Sequence, residues 1–546
     1  MHNMLRYAAV QLFVASVQRE WPTFALNAED APLVVDICQH LEGLPLGLQL
    51  AAGNVPQVGL ASVLQSLQSS QPHVAAQWRD APSRHQSLQT VFNDSWQLLT
   101  DVEQGVLARL AVFRAGFQLA AAVAVVGVTL NISTQEEMQK ILNILVIKSL
   151  LSTHQSSRYR LHEYMHQLAS AKLADIPSER NDVDAQHATF YCAWLHAQVP
   201  LLRSAKSAAT LSQMSTDLAN LLAAWRWSTE QGRVELLDLA MEGLLAFYLR
   251  RHRYYEGIAL CESTIHNLEA NGAPTASVLC AMLWVWQGRF SQIVGDLAAA
   301  EQQNRRAAAL LERAAAQSDV RHELDVHSQL HVHAHIVMQR GHQLAGNAPA
   351  DATYYFEEAL HSYQNLGDRW NEAHALAALA QQARVAGHWE LSNRLHQEAL
   401  GIHTEMGELS YIAKTHIDMA RAALSDGHYS KAEQLLTAAH QFCVEVEDMP
   451  GALRSRAYLG IVRAYRSQNK EDLASILEST AALGDLHRYQ EQAELFAELA
   501  STYARFGDAE QAGTMAQRGL ALASRLDYEL VKEQCLIVLQ ANRAKI

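Results

Sequence analysis

The C-terminal half of the chain repeats one pattern of small and large residues at helical spacing. Each copy opens with Gly or Asn. A small residue follows five positions later, a larger and mostly apolar one three positions further, and another small one four positions after that. Offsets of three and four place these positions on one helix face, where small side chains let a neighbouring helix approach closely. The copies span residues 347–360, 387–400, 427–440, 469–482 and 507–520.

A second set of predicted helices alternates with these segments. The openings at Gly387 and Gly427 are 40 residues apart, and the intervening segments 371–386 and 411–425 are also amphipathic. Gly and Asn tolerate positive φ, so each opening suits a tight turn between two helices. Because one helical hairpin cannot bury its apolar face alone, the hairpins are expected to stack into a superhelix with a concave surface.

This repeat resembles the tetratricopeptide family, in the form with a longer period. Weaker copies of the pattern begin at His252 and near Gly288. Trp389 and Tyr429 are interpreted as packing residues rather than ligand contacts. The resemblance implies that a protein partner or a small effector binds on the concave face.

Length and composition agree with several helical units. The 546 residues suggest three or four folding units, and 49% hydrophobic with 18% charged residues supplies material for packed cores. A net charge of −14 repels phosphate backbones, which disfavours nucleic-acid binding by the whole chain. The six cysteines form no CxxC pair and are expected to be reduced thiols. Neither a signal peptide nor a membrane span is apparent, which predicts a cytoplasmic location.

The N-terminal region has helical periodicity interrupted by a turn at Gly43. Gly43-Leu44-Pro45-Leu46 matches the GLPL motif of STAND signal-transduction ATPases of the NB-ARC type, and this region resembles that family. In the family the motif belongs to a helical lid domain beside the nucleotide. The resemblance therefore implies that Gly43 and Pro45 face a nucleotide, with Pro45 near the adenine. Gly47 stands where the family usually has Ala.

The resemblance continues into a winged-helix domain. Residues 84–127 resemble its start, with Leu107 and Leu110 facing inward from a helix. Two short strands of the wing are predicted at Leu150–Leu151 and Tyr159–Leu161, joined by a polar turn through Gln155 and Ser156.

A second family motif follows the wing. Leu161-His162-Glu163 stands where the family has its MHD motif, with Leu replacing Met and Glu replacing Asp. In the family this His senses the β-phosphate of bound ADP and holds the switch closed. The resemblance implies the same role for His162, and residues 217–232 match the helical segment that often follows.

The phosphate-binding loop of the family is missing. No GxxxxGK[ST] sequence occurs in the chain, so the Gly-rich backbone, the Lys and the Mg²⁺-binding hydroxyl of such a loop are not present. The chain reads as if it begins just after the nucleotide-binding core, as a truncated product or one half of a split protein. We expect no cofactor in the isolated chain, and ADP or ATP only with a separate P-loop ATPase chain.

An alternative chemistry arises because residues 162–166 spell HEYMH. On a helix, His162 and His166 could bind zinc, with Glu163 as general base of a metallohydrolase. A third ligand is then needed, and Glu179 or Asp182 are the candidates. The position of His162 between a strand and a helix favours the switch-family interpretation. We therefore predict that the chain has no metal site and is not an enzyme.

Two other groups of residues suggest metal binding and DNA binding. His327, His331 and His335 recur every four residues of one predicted helix, but the first and last are separated by ~12 Å along its axis and cannot share an ion. A solvated or interhelical face is the preferred interpretation. The predicted winged helix has only Arg109 in its candidate recognition helix, and Arg158 and Arg160 in its wing, so direct DNA binding is not expected.

The sequence thus predicts a mostly α protein. A helical lid domain (residues 1–83), a winged-helix domain (84–175) and a helical linker (176–272) precede a tetratricopeptide-like α-solenoid (273–546). The predicted function is a non-catalytic sensor module of a STAND-type signalling or transcriptional regulator. The alternatives are a plain tetratricopeptide scaffold with a vestigial N-terminal region, and the zinc metallohydrolase.

We predict that the isolated chain neither hydrolyses ATP nor binds ATP or ADP with micromolar affinity, because it has no phosphate-binding loop. Titration calorimetry with each nucleotide measures this. A micromolar dissociation constant for either nucleotide would contradict the prediction.

Overall fold

The structure, a computed structural model, describes residues 7–69, 83–154, 157–270, 277–317, 323–469 and 473–543. The described chain is mostly helical, as the sequence predicts. It divides into two compact units. The first comprises residues 1–192 and 216–227, and the second comprises residues 193–215 and 228–546.

Short helices and a small sheet make up the first unit. Pro45 begins the third helix, where its fixed φ suits the first turn. Proline lacks an N–H, but an N–H at this position would make no hydrogen bond within the helix. Thr100 and Glu103 form a capping box at the start of the sixth. The helices are α1 (Ala8–Glu20), α2 (Asp30–His40), α3 (Pro45–Val58), α4 (Leu60–Ser69), α5 (Ser83–Gln97), α6 (Asp101–Leu110), α7 (Leu119–Ala122), α8 (Val128–Leu130), α9 (Gln135–Ile147) and α10 (Glu163–Ala174), with a π-helical turn (Val123–Gly127) between α7 and α8.

The core of this unit is built from the apolar faces of these helices. Phe13 of α1, Ile37 of α2 and Leu48 of α3 are fully buried. In α6, Leu107 and Leu110 are also fully buried, so the inward orientation predicted for them is confirmed.

A three-stranded antiparallel sheet follows the order β1 (Phe117–Gln118), β3 (Arg158–Arg160), β2 (Ser152–His154). The hairpin of β2 and β3 confirms that two short strands pair in this region. The predicted position of the earlier strand, Leu150–Leu151, was wrong. That strand begins at Ser152, and Leu150 and Leu151 are buried just before it. The predicted turn residues Gln155 and Ser156 lie outside the described residues.

Two long helices, α11 (Pro177–Leu202) and α12 (Ser207–Glu230), each contribute residues to both units. Within the first unit, the Arg158 guanidinium lies 2.6 Å from the Asp217 carboxylate of α12, and both side chains are nearly buried. Arg109 of α6 likewise lies 2.6 Å from Glu179 of α11. Two of the three basic residues weighed for DNA contact are therefore held in ion pairs inside the unit.

Pairs of helices make up the second unit. The first helices of four successive pairs begin at Arg369, Leu409, Met449 and Tyr489, and the final helix begins at Glu529, each 40 residues after the last. The helices are α13 (Val234–Arg250), α14 (Tyr254–Ala270), α15 (Ser277–Ile293), α16 (Leu297–Gln317), α17 (Glu323–Leu344), α18 (Pro349–Leu366), α19 (Arg369–Val385), α20 (Trp389–Met406), α21 (Leu409–Ser425), α22 (Tyr429–Glu445), α23 (Met449–Ser467), α24 (Ala474–Asp485), α25 (Tyr489–Arg505), α26 (Ala509–Arg525) and α27 (Glu529–Arg543).

Among the predicted turn residues, the glycines adopt positive φ and the asparagines do not. Gly387, Gly427 and Gly507 adopt φ of 77°, 77° and 75°, as the tight turns require. Asn347 lies in the turn before α18, as predicted, but neither Asn347 nor Asn469 has the positive φ that was expected of such openings. In the 469–482 copy the left-handed residue is Gln468, with φ of 55°, one position earlier than predicted.

Of the two weaker copies of the pattern, the structure confirms the one at His252 and contradicts the one near Gly288. His252 has φ of 57° just before α14, so that copy does begin a helix. The copy near Gly288 was wrong, because Gly288 lies inside α15. The turn before α16 is instead made by Gly295, with φ of 85°.

Small side chains form the contact face of the second helices. Ala352, Ser392, Ala432 and Ala512 are each fully buried, which confirms the predicted face. The side chain of Ala474 lies outside the described residues. In α24, however, Ala481 is exposed and Thr480 is fully buried instead. This one-residue shift matches the displaced turn at Gln468.

Residues far apart in sequence meet where the superhelix returns on itself. The Leu530 N–H donates to the Gly346 carbonyl at 3.1 Å, so α27 contacts the turn after α17. Arg251, at the end of α13, lies 3.4 Å from Glu447, just before α23. These contacts join parts of the second unit that are distant in sequence.

Within the described part of the chain, no single helix has the length and hydropathy needed to cross a membrane. One pair of helices bent by 99°, Leu119–Leu130 with Gln135–Ile147, meets those criteria when its members are taken together.

We predict that Gly243→Ala destabilises the protein by about 1–3 kcal/mol, because the added Cβ would lie 2.5 Å from the Leu195 carbonyl oxygen of α11. Gly401→Ala is the control. Gly401 is exposed within α20 with open space around it, and Ala there should stabilise by up to about 1 kcal/mol. Calorimetric unfolding of both variants should give shifts of opposite sign. Equal shifts would contradict the assignment of Gly243 to a close helix contact.

Candidate functional site

A cavity of about 640 Å³ lies on the inner side of the superhelix, within the second unit. Its walls come mainly from the first helices of the pairs, α13, α15, α17, α19, α21 and α23, with the end of α11. Small-molecule sites in proteins usually measure ~300–1,000 Å³. The cavity therefore has the size of a site for a small molecule or a short peptide segment.

One side of the cavity is formed by Trp370 and His374 of α19 and Tyr411 of α21, which we call the aromatic wall. The His374 ring centroid lies 4.0 Å from that of Trp370 and 4.0 Å from that of Tyr411. His374 Nδ1 donates to the Trp370 carbonyl at 2.7 Å. Burial lowers the pKa of His374 well below its usual range, so its ring is neutral at pH 7. The three rings thus form an aromatic surface that is not flat, since the His374 ring is inclined at 45° to that of Trp370 and at 68° to that of Tyr411.

The histidines of α17 form another side. His331 lies 3.0 Å from the Asp368 carboxylate, and His335 Nδ1 lies 3.1 Å from the Tyr363 hydroxyl. Burial lowers the pKa of His335 to about 3. His327, the third member of the predicted row, is exposed. The row faces neighbouring helices through two of its members, which supports the interhelical interpretation for His331 and His335.

Seven basic side chains line the cavity, and five of them lie in ion pairs. The remaining two, Arg289 and Lys414, have no carboxylate within 4.0 Å among the described residues. Each lies near an aromatic ring instead: Arg289 is 5.4 Å from the Trp286 centroid, and Lys414 is 5.8 Å from that of Tyr411. The pairs are Arg203–Glu242, Arg250–Glu408, Arg251–Glu447, Arg454–Asp418 and Arg488–Glu491.

The pair of Arg250 and Glu408 crosses the edge of the cavity. The guanidinium and carboxylate are 3.0 Å apart, and the Glu408 side chain is fully buried. Burial raises the pKa of Glu408, and the charge and hydrogen bond of Arg250 oppose that rise. Because the two residues are 158 positions apart, the pair ties the end of α13 to the start of α21.

The predicted nucleotide-facing residues all lie in the first unit. Gly43 has φ of 68° in the turn between α2 and α3, and Pro45 occupies the first turn of α3. His162 is exposed and is the N-cap residue of α10, where its Nδ1 accepts from the Tyr164 N–H at 3.3 Å. Both motifs thus stand at helix N-termini, where backbone N–H groups and the helix dipole favour anions.

The HEYMH segment straddles the start of α10. His162 precedes the helix, while Glu163 and His166 belong to it. Burial lowers the pKa of His166 below its usual range. Glu179, a candidate third ligand, is engaged by Arg109. Across the residues that the structure describes, no three His, Cys, Asp or Glu side chains are grouped so that they could hold a metal ion.

The cavity was not predicted from the sequence, although one signal for it exists. His374, Lys414 and Arg454 stand 40 residues apart, at equivalent positions of α19, α21 and α23, and all three line the cavity. Large polar residues recurring at one register of Ala-rich helices mark an inner surface. Arg203 and Arg250 lie outside this register, and no spacing rule could have found them.

The helical pairs of the second unit form a tetratricopeptide-like solenoid. No family model matches the chain. Over 306 residues it is 32% identical to a protein of Mycobacterium tuberculosis (strain ATCC 25618 / H37Rv) whose name describes an HTH-type transcriptional regulator. That alignment covers 54% of this chain and 34% of the relative. An uncharacterized protein of the same strain is 37% identical over 117 residues, covering 21% and 30%. The chain thus spans about a third of the length of these curated relatives.

Two solved structures are similar to this chain. A STAND protein with a tetratricopeptide repeat sensor from Pyrococcus horikoshii has a TM-score of 0.49 at 13% identity, covering 97% of this chain and 74% of that chain. A Rap protein complexed with competence and sporulation factor has a TM-score of 0.43 at 12% identity, covering 63% and 99%.

We predict that Arg250→Leu destabilises the protein by about 3 kcal/mol, because it leaves the Glu408 carboxylate buried without its partner. The loss should shrink as the pH falls from 8 to 5. Burial raises the pKa of Glu408 in the folded protein above its value in the unfolded chain. The folded protein therefore binds the proton more tightly, and protonation of Glu408 at low pH removes the unpaired buried charge. Chemical unfolding at each pH measures this.

Two variants control that experiment. Arg305→Leu removes an exposed pair with Glu301 and should cost no more than about 1 kcal/mol. Arg250→Leu combined with Glu408→Leu should recover part of the lost stability. Losses of similar size for Arg250→Leu and Arg305→Leu would contradict a structural role for the buried pair.

Proposed function

We propose that this chain is the sensor and coupling part of a STAND-type transcriptional regulator, and that its repeats bind a small effector in the cavity. The chain contributes no catalytic group to this function. Effector binding changes the state of the regulator by favouring one arrangement of the helical repeats.

The cavity is the observation that carries this proposal. It has the volume of a small-ligand site, and it combines an aromatic wall with charged side chains on several helices that could orient a polar ligand. It is bounded by parts of the superhelix that meet only through long-range contacts such as Arg250–Glu408. A ligand there would touch several repeats at once and alter how they pack.

The regulatory assignment is supported by the mycobacterial relative named as an HTH-type transcriptional regulator. The STAND assignment rests on the GLPL motif at Gly43 and Pro45 and the MHD-like motif at His162, both at helix N-termini. We propose that these three residues face a nucleotide when a P-loop domain is supplied by another chain.

The proposed domains keep the predicted boundaries: a lid at residues 1–83, a winged-helix domain at 84–175, a linker at 176–272 and the repeat superhelix from 273. The three-stranded sheet supports the winged-helix proposal, because its β2–β3 hairpin precedes α10 in the chain, where a wing is expected. The N-terminal domains would pass the effector signal to the nucleotide site in a complete regulator.

The test is a thermal-shift screen of small metabolites against three proteins. A compound at about 100 times its dissociation constant should stabilise the native protein by about 2.7 kcal/mol. Ala246→Trp places a large side chain in the cavity and should abolish that stabilisation. Ala309→Trp, on the exposed face of α16, should leave it unchanged.

A plain scaffold would give a different result. Compounds would then fail to stabilise the native protein, or they would stabilise Ala246→Trp as well as Ala309→Trp. Either result would contradict the proposed effector site.

A further inference from the structure

Arg289 and Lys414 differ from the other cavity cations in how their charge is balanced. Five basic side chains of the cavity each have a carboxylate partner, whereas these two lie near aromatic rings. A cation–π contact holds a cation in place without neutralising its charge. Among the described residues, Arg289 on α15 and Lys414 on α21 therefore present uncompensated positive charge to the cavity.

The neighbourhood of these two cations contains little to offset them. Burial lowers the pKa of His342 and His374, and the positive charges of both Lys414 and Arg289 add to that effect. Both imidazoles are neutral at pH 7. The N–H of His374 is already donated to the Trp370 carbonyl, so of these two rings only His342 has an N–H to offer a ligand. Although its position deep within the superhelix lowers the pKa of His342, part of this residue is accessible from the cavity that it lines.

The carboxylates of this region have other partners. Glu242, Glu447 and Glu491 line the cavity in ion pairs with arginines. Asp368 is engaged by His331 and Asn371, and Asp418 lies 3.8 Å from Arg421 and 3.6 Å from Arg454. Asp238 also lines the cavity, and its electrostatic neighbours are His331 and His196. Among the described residues, no carboxylate lies within 4.0 Å of the Arg289 or Lys414 nitrogens, so both cations are available to an anion.

We propose that the cavity binds a small organic anion with an aromatic body. Arg289 and Lys414 hold its acidic group, His342 donates a hydrogen bond to it, and the aromatic wall packs against its ring. This inference rests on the proposed effector site and names its ligand class. A carboxylate, sulfonate or phosphate satisfies the acidic group, because each offers several oxygen acceptors to a guanidinium and an ammonium.

The test uses two fluorescent probes with the same aromatic body. Anilinonaphthalene sulfonate carries an acidic group, and N-phenylnaphthylamine does not. Both are titrated against the native chain, against Arg289→Gln combined with Lys414→Gln, and against a matched control. The control is Lys431→Gln combined with Arg518→Gln, which removes the same two charge types from exposed positions outside the cavity.

The cavity variant should weaken binding of the sulfonate probe by about tenfold or more, because charge-assisted hydrogen bonds are lost. Binding of the neutral probe should change by no more than about twofold, since apolar contact alone holds it. The control should leave both affinities unchanged. A near-ultraviolet circular dichroism spectrum equal to that of the native chain shows that the cavity variant is folded.

Three results would overturn the proposal. Equal binding of the sulfonate probe to the native chain and the cavity variant means that the two cations do not recognise an anion. Equal weakening of both probes means that Arg289 and Lys414 affect only the shape of the cavity and do not recognise the acidic group. In these two cases the effector site itself stands if Ala246→Trp blocks the neutral probe. Failure of both probes to bind the native chain contradicts the anion site and the proposed effector cavity together.

Discussion

Close contact between neighbouring helices is the constraint on which the repeat region depends. Small side chains at fixed positions, such as Ala352, Ala432 and Ala512, are fully buried where the second helix of a pair meets its neighbours. Larger residues there would push the helices apart, and the added distance would recur in every pair of the superhelix. The constant spacing lets the superhelix close on itself, as the hydrogen bond from Leu530 to Gly346 shows. The cavity exists because this closure leaves the first helices facing one another.

The chemistry of the cavity follows from that arrangement. Five of its seven basic side chains are neutralised by carboxylates, as the largely buried Arg250 is by Glu408. Burial keeps the neighbouring histidines neutral and makes them part of a polar but uncharged lining. Against this background, two cations without carboxylate partners stand out as groups suited to a ligand.

Much of the fold could be read from the sequence, since helices are specified by local periodicity. The helices of the repeats, the buried faces of Ala352 and Ala432, and the turns at Gly387 and Gly427 follow from residue spacing alone. The errors occurred where residue type misled. Asn469 resembled a turn residue, but Gln468 adopts the left-handed conformation, and the buried face of α24 shifts with it. Positive φ costs a non-glycine residue little enough that tertiary packing can impose it.

By itself, the sequence determined a helical chain with a 40-residue period, an N-terminal region with two family motifs, and no phosphate-binding loop. Which residues line a cavity was decided only by the tertiary structure. Arg289, His342 and Lys414 come from three helices, and Arg250 and Glu408 are separated by 158 positions. Local spacing governs which face of a helix is apolar. The meeting of distant polar side chains depends on the summed curvature of all the repeats between them, which no single segment encodes.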